Sequence, residues 1–163
     1  RISAQAKNFT NLKQIQYKFV KKGTSKGSVP YKTGTTLTLK DGMIGRVYVR
    51  FVTDAGIDEM QLPGIAVDKK APTKTKIKVN RSGIKTLKKS AKFVFSASYG
   101  ISGKSKTQYK IVPKGKKASK YRWKTANKIT YKKKNKKVSI YARFIDKCGN
   151  ITQRKSSGFY ITK

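Results

Sequence analysis

The sequence predicts an all-β chain of two tandem antiparallel β-sandwiches. Three observations carry that prediction: an internal repeat spaced by 92 to 93 residues, apolar residues alternating with polar ones, and no stretch with a convincing helical period. Gln16-Tyr17-Lys18-Phe19-Val20-Lys21-Lys22-Gly23 returns as Gln108-Tyr109-Lys110-Ile111-Val112-Pro113-Lys114-Gly115, with six of eight positions identical at a spacing of 92. Tyr48-Val49-Arg50-Phe51-Val52 returns as Tyr141-Ala142-Arg143-Phe144-Ile145 at 93, and Gly56 then matches Gly149. A one-residue change of spacing between blocks is what a loop insertion leaves.

Taken in chain order, the first copy opens inside its second strand, because Ile2-Ser3-Ala4 falls opposite Phe95-Ser96-Ala97. Its first strand is expected to be absent or to lie outside the chain. The Gln16 block follows. Tyr31 then falls opposite Trp123, and Leu37-Thr38-Leu39 opposite Ile129-Thr130-Tyr131. In the next strand Val47, Val49 and Phe51 are expected to point inward and Tyr48 and Arg50 outward. The join is Val67 to Thr73, where Pro72 removes a ladder donor and biases Ala71 toward an extended conformation, so domains are expected over 1–70 and 71–163. The second copy then offers strands Thr75 to Val79, Lys92 to Ala97, Thr107 to Val112, Lys128 to Tyr131, Val138 to Phe144 and Ile151 to Ile161. Gly, Ser, Asn and Lys clusters separate them, the turn spacing of a sandwich.

Composition narrows the function. The 163 residues include 41 Lys plus Arg, 6 Asp plus Glu and no His, a formal charge of +35. Without His the chain lacks the usual neutral-pH proton shuttle and the commonest zinc ligand, and six carboxylates furnish few acid/base pairs or oxygen-rich metal cages. The reading is therefore not an enzyme, with no catalytic residue, no metal and no cofactor. No lysine is marked as a nucleophile. Hydrophobic residues make up 36%, enough for small cores. Cys148 stands alone, so no intrachain disulfide forms, and without a His to activate it the thiol reads as structural. Apolar runs such as Ile44 to Val52 are short and broken by arginine, so no segment reads as membrane-spanning. The chain begins at Arg1 with no signal-peptide pattern, the expectation being an excised piece whose address label lies outside it.

Tyr141-Ala142-Arg143-Phe144-Ile145-Asp146-Lys147-Cys148-Gly149-Asn150-Ile151-Thr152 resembles the late-strand and turn signature of bacterial Ig-like repeats, in which Asp-x-Ala-Gly-Asn separates the last two strands. Asp68-Lys69-Lys70-Ala71-Pro72-Thr73 resembles their Asp-x-x-Ala-Pro linker, and Ser102-Gly103, Gln108-Tyr109-Lys110, Gly115 and Trp123 resemble the middle of such a repeat. The first copy departs at Thr53-Asp54-Ala55-Gly56-Ile57, which lacks the Asn. The resemblance implies two Ig-like sandwiches that space or present modules on the cell wall or surface of a bacterium, or accompany a secreted enzyme. Leu62-Pro63-Gly64 in mid-chain is no wall-sorting signal, so attachment is expected to be encoded elsewhere.

Charge is uneven between the copies: residues 1–70 carry 13 basic and 5 acidic side chains, and residues 71–163 carry 28 and 1. The expected contact is a patch on the second copy, Lys116, Lys117, Lys120, Arg122, Lys132, Lys133, Lys134, Lys136 and Lys137, facing an anionic polysaccharide or teichoic acid. Lys outnumbers Arg by 34 to 7, which favours diffuse attraction over bidentate recognition. The bland alternative is that lysines solubilise strand faces and blunt sheet edges. The rival class is nucleic-acid binding, for which Tyr121-Arg122-Trp123-Lys124 and Tyr131-Lys132 supply aromatics among cations. Against it, Trp123 aligns with Tyr31 and reads as a packing position of the repeat, and no helix-turn-helix, zinc finger or RNP-like sequence is present. Asp146 and Asn150 read as caps of their turn and not as calcium ligands.

Overall fold

Alternating β-branched and aromatic residues fill a pleated surface well, and sheet is what they form. The computed structural model describes residues 11–79, 86–88 and 90–162; within these the regular elements are strands and one 3₁₀ turn, so the fold is all-β. Ile2-Ser3-Ala4 lies outside the described residues. The chain divides between Lys69 and Lys70 into two compact units.

In the first unit, β1 (Leu12–Lys21), β2 (Lys32–Thr33), β3 (Ile44–Thr53) and β4 (Gly56–Gln61) form an antiparallel sheet ordered β2-β1-β3-β4, with β5 (Ile65–Ala66) also paired to β3. Val47 and Val49 are buried as expected, and Phe51 is half-buried. The opposite face is not solvated in the expected way. Tyr48 is 8% exposed and Lys18, paired to it across the strands, 7%. Both are covered because the connection from β1 to β2 folds back over that face, where Lys18 Nζ donates to Lys26 O at 2.8 Å. Leu37-Thr38-Leu39 is not in a strand, unlike Ile129-Thr130-Tyr131 opposite it in the repeat.

The second unit contains β6 (Thr73–Val79), β7 (Thr86–Lys88), β8 (Ala91–Ser98), β9 (Lys104–Pro113), the 3₁₀ turn Ala118–Lys120, β10 (Lys124–Thr125), β11 (Lys128–Tyr131), β12 (Val138–Asp146), β13 (Ile151–Lys155) and β14 (Tyr160–Thr162). One sheet is ordered β10-β9-β12-β13 and a second β11-β8-β6, both antiparallel. Their inward residues share one core in the manner of a β-sandwich: Phe93 and Phe95 from β8, Tyr131 from β11, and Val138, Ile140, Ala142 and Phe144 from β12. Each is no more than 5% exposed, so alternation alone assigned the inner face of β12.

The repeat seen in the sequence is a repeat of structure. The order β10-β9-β12-β13 reproduces β2-β1-β3-β4, and the registers coincide: Gln16, Tyr17 and Lys18 pair with Arg50, Val49 and Tyr48, while Gln108, Tyr109 and Lys110 pair with Arg143, Ala142 and Tyr141. The turns coincide as well. Gly23 and Gly115 both adopt left-handed backbone, at φ 87° and 78°, a conformation open to glycine at no steric cost. Thr24 N–H donates to Lys21 O at 3.0 Å as Lys116 N–H donates to Pro113 O at 3.1 Å.

The expected strand from Ile151 to Ile161 is broken. β13 stops at Lys155; Ser156 still meets β12, its N–H donating to Ile140 O at 2.8 Å, but its Oγ takes the place of its carbonyl in accepting from Ile140 N–H at 2.9 Å. After Ser157 and Gly158, Phe159 bridges Val138 of β12 and the chain continues as β14, paired in parallel with β7, with Phe159 and Ile161 in the core. The Ser-Ser-Gly stretch has no apolar alternation and interrupts the regular pairing with β12, which the Phe159–Val138 bridge then resumes.

Candidate functional site

The nine expected contact residues lie on two segments, the β9–β10 connection and the run between β11 and β12. Lys114 N–H donates to Lys137 O at 2.8 Å and Pro113 pairs with Val138, so the run around Lys116 and Lys117 meets the run Lys132, Lys133, Lys134, Lys136 and Lys137 at one end of the β9–β12 ladder. The second run is held in shape. It turns at Asn135, at φ 54°, and its backbone is pinned by Asn135 N–H donating to Ile161 O at 2.8 Å. Lys120 and Arg122 lie farther along the same β9–β10 connection as Lys116 and Lys117, Lys120 N–H donating to Lys117 O at 3.2 Å, and the connection is fixed over the outer sheet face by Lys110 Nζ donating to Ala118 O at 2.6 Å. All nine side chains are exposed.

In the second unit the acidic side of the balance is buried. Asp146 is the single acidic side chain between residues 71 and 163, and it is 1% exposed. Its Oδ1 accepts from Asn150 N–H at 2.9 Å and its Oδ2 from Asn150 Nδ2 at 2.8 Å, closing the β12–β13 turn. The cationic surface of the second unit therefore has no acidic side chain to offset it. The same residues account for the turn difference: the first unit uses a shorter turn in which Thr53 pairs with Gly56.

Two further features escaped the sequence reading. One is a groove of about 300 Å³ between β6 and β13, lined by Lys76, Lys78, Arg154 and Lys155 over Phe93. The other is an aromatic–cation cluster on the outer sheet face, built twice. In the first unit the Tyr31 ring has Lys18 Nζ at 4.3 Å and Arg50 Cζ at 3.9 Å from its centroid. In the second the Trp123 ring has Lys110 Nζ at 4.6 Å and Arg143 Cζ at 4.5 Å. Such contacts are worth about 0.5–2 kcal/mol each according to desolvation, and here they hold the covering connection to the sheet. A signal for this cluster existed, because Lys and Arg stand at the same positions of both repeat blocks, beside aromatics.

In the first unit the cluster includes its own carboxylate. Glu59 accepts from Arg50 Nε at 2.9 Å, from Lys26 Nζ and from the Tyr31 hydroxyl. The Lys26 and Tyr31 hydrogen bonds pull the Glu59 carboxyl from the ordinary 4.5 to about 2. Burial, followed by the hydrogen bond to Glu59, pushes the Tyr31 phenol from 10.0 up to about 12. A carboxyl with a depressed folded-state pKa stabilises fully above its unfolded value and progressively less as pH falls through the folded one. Wild type is thus expected to melt above Glu59→Gln at neutral pH, the gap closing between pH 4.5 and about 2, as read by circular dichroism of the full chain. A gap constant across that range would exclude the charge-assisted role. The raised phenol predicts a second loss between pH 10 and about 12.

Trp123 is half-buried on the sheet face and lies outside the core cluster. Tyr131 is 5% exposed with its ring edge-on to Phe159 at 5.3 Å, and burial raises its pKa, so it offers no free face for a base. Among the described residues no three His, Cys, Asp or Glu side chains gather as a metal site, and no helix is long and apolar enough to cross a membrane. Comparison with protein-family models and with curated proteins gives no match.

Proposed function

We propose that the chain is a non-catalytic spacing and adhesive module, of bacterial Ig-like type and displayed at a cell surface or secreted, whose second unit contacts anionic polymers such as teichoic acid or host glycans. One observation carries the reading: residues 71–163 hold 28 basic side chains and a single acidic one, which is buried in its turn. Nothing on its surface but solvent ions screens the resulting field, which draws polyanions and weakens steeply with salt. The pinned 132–137 loop beside the Lys116 turn adds a place where that charge is concentrated. The duplicated sheet supports the spacer half of the reading, since repeats joined by a short link are how such modules are built.

The test replaces Lys116, Lys117, Lys132, Lys133 and Lys137 with Gln in the full chain and measures binding to heparin as salt is varied. Affinity is expected to fall about 10- to 100-fold near physiological salt, with a shallower salt dependence. Unchanged affinity and slope would remove the polyanion contact and leave a spacer. Competition between heparin and charge-matched single-stranded DNA addresses the rival class: preference for DNA, lost in Trp123→Ala, would favour nucleic-acid binding.

A further inference from the structure

The two aromatic–cation clusters differ at one chemically decisive place. β3 pairs Arg50 with Glu59, whereas β12 pairs Arg143 with Gln153, so the position that holds a carboxylate in the first unit holds a neutral amide in the second. The next pair outward differs in the same sense. Tyr48 pairs with Gln61, but Tyr141 pairs with Lys155, whose Nζ lies 5.5 Å from the Tyr141 ring centroid. Side chains paired across an antiparallel ladder project to the same face, so Arg143, Gln153, Tyr141, Lys155 and Lys110 share the outer face beside Trp123.

We infer that this face of the second unit is a binding site for one anionic group, a carboxylate, sulfate or phosphate, occupying the place that Glu59 fills in the first unit. Arg143 spends its Nε–H on Gln108 Oε1 at 2.7 Å, which leaves the paired N–H groups at the end of its guanidinium for the fork-like geometry such groups accept. Lys110 is held in position by Ala118 O, and Lys155 adds a third positive charge from the edge strand. The unit cannot supply the counter-charge itself, because Asp146 is its one acidic side chain and is committed to the turn. Glu59 shows that an anionic group fits beside the arginine of this face; of its donors the second unit keeps the arginine alone, since Ala118 stands opposite Lys26 and Trp123 opposite Tyr31, and Lys110 and Lys155 supply the remaining positive charge there. The site is separate from the lysine runs at the sheet end, and its occupancy does not depend on them.

Trp123 is the one tryptophan of the chain, so its emission reports the site directly. The full chain is titrated with inorganic phosphate and with inorganic sulfate, ionic strength being held constant with sodium chloride. A saturable change in Trp123 emission is expected. Gln153→Glu, which places a carboxylate beside Arg143, is expected to weaken saturation about tenfold or more, whereas Gln153→Ala keeps it. Replacing Lys132 and Lys133 with Gln is expected to leave the titration unchanged, so a failure of the sheet-end contact and a failure of this site are told apart. A sulfated disaccharide run beside inorganic sulfate separates the sources: tighter saturation by the sugar assigns the group to a glycan, and equal saturation assigns a free anion. Emission that follows ionic strength alone, or Gln153→Glu titrating like wild type, would overturn the site.

Discussion

Phe159→Ala is expected to destabilise the second unit by about 3–5 kcal/mol, the range for deleting a large aromatic from a core that relaxes incompletely. Phe159 is 0% exposed, and its ring centroid lies 4.6 Å from that of Phe93 and 5.3 Å from that of Tyr131. Its backbone is equally committed, donating to and accepting from Val138 at 2.9 Å each way. Because the mutant keeps that backbone pair, the core can collapse little into the space, and the cavity term adds to the lost transfer energy. Urea unfolding of the full chain followed by Trp123 emission reads the unit in question. A loss below about 1 kcal/mol, the scale of an ordinary surface change, would mean that Phe159 does not close the sandwich.

Asp146→Ala is expected to cost about 2–3 kcal/mol, because it leaves donors of Asn150 without the buried carboxylate that receives them. The turn is otherwise held by Gly149 N–H to Asp146 O and Asp146 N–H to Asn150 O, both at 3.2 Å, with Gly149 in left-handed backbone at φ 87°. Asp146→Asn retains one acceptor in place of two and is expected to fall between wild type and alanine in the same urea titration. The variant also removes the only acidic side chain of the unit, so it should bind heparin no less tightly when folded. Near-neutral stability of both Asp146→Ala and Asn150→Ala would show the turn to be closed by backbone alone.

How much of this was legible beforehand depends on the range of the interaction. Val138, Ile140, Ala142 and Phe144 were assigned to the core from parity alone, and Lys128–Tyr131 is a strand with the bounds read from the sequence. Asp146 was read as a turn cap from its neighbours, a contact four residues long. Tyr48 was placed toward solvent and is buried, because parity says which face a side chain takes and not what lies over that face. The break after Lys155 was missed although Ser156, Ser157 and Gly158 were in view; a strand pattern resumed at Phe159, and only the switch to a new partner strand revealed two elements. The lysine patch draws on two segments far apart in sequence, the β9–β10 connection and the run before β12, and the fold joins them where Lys114 N–H donates to Lys137 O.

The sequence by itself determined the repeat, the inner faces of its strongest strands and the positive charge of the second unit, since each is set by composition or by spacing along the chain. Tertiary structure alone decided that Arg50 stands beside Glu59 while Arg143 stands beside Gln153, and that a connection closes over the outer face of each sheet. Those facts come from registers between strands and from loops folding onto distant residues. Their partners are selected by shared packing and hydrogen bonding across the fold, which a local pattern of apolar and polar residues does not encode.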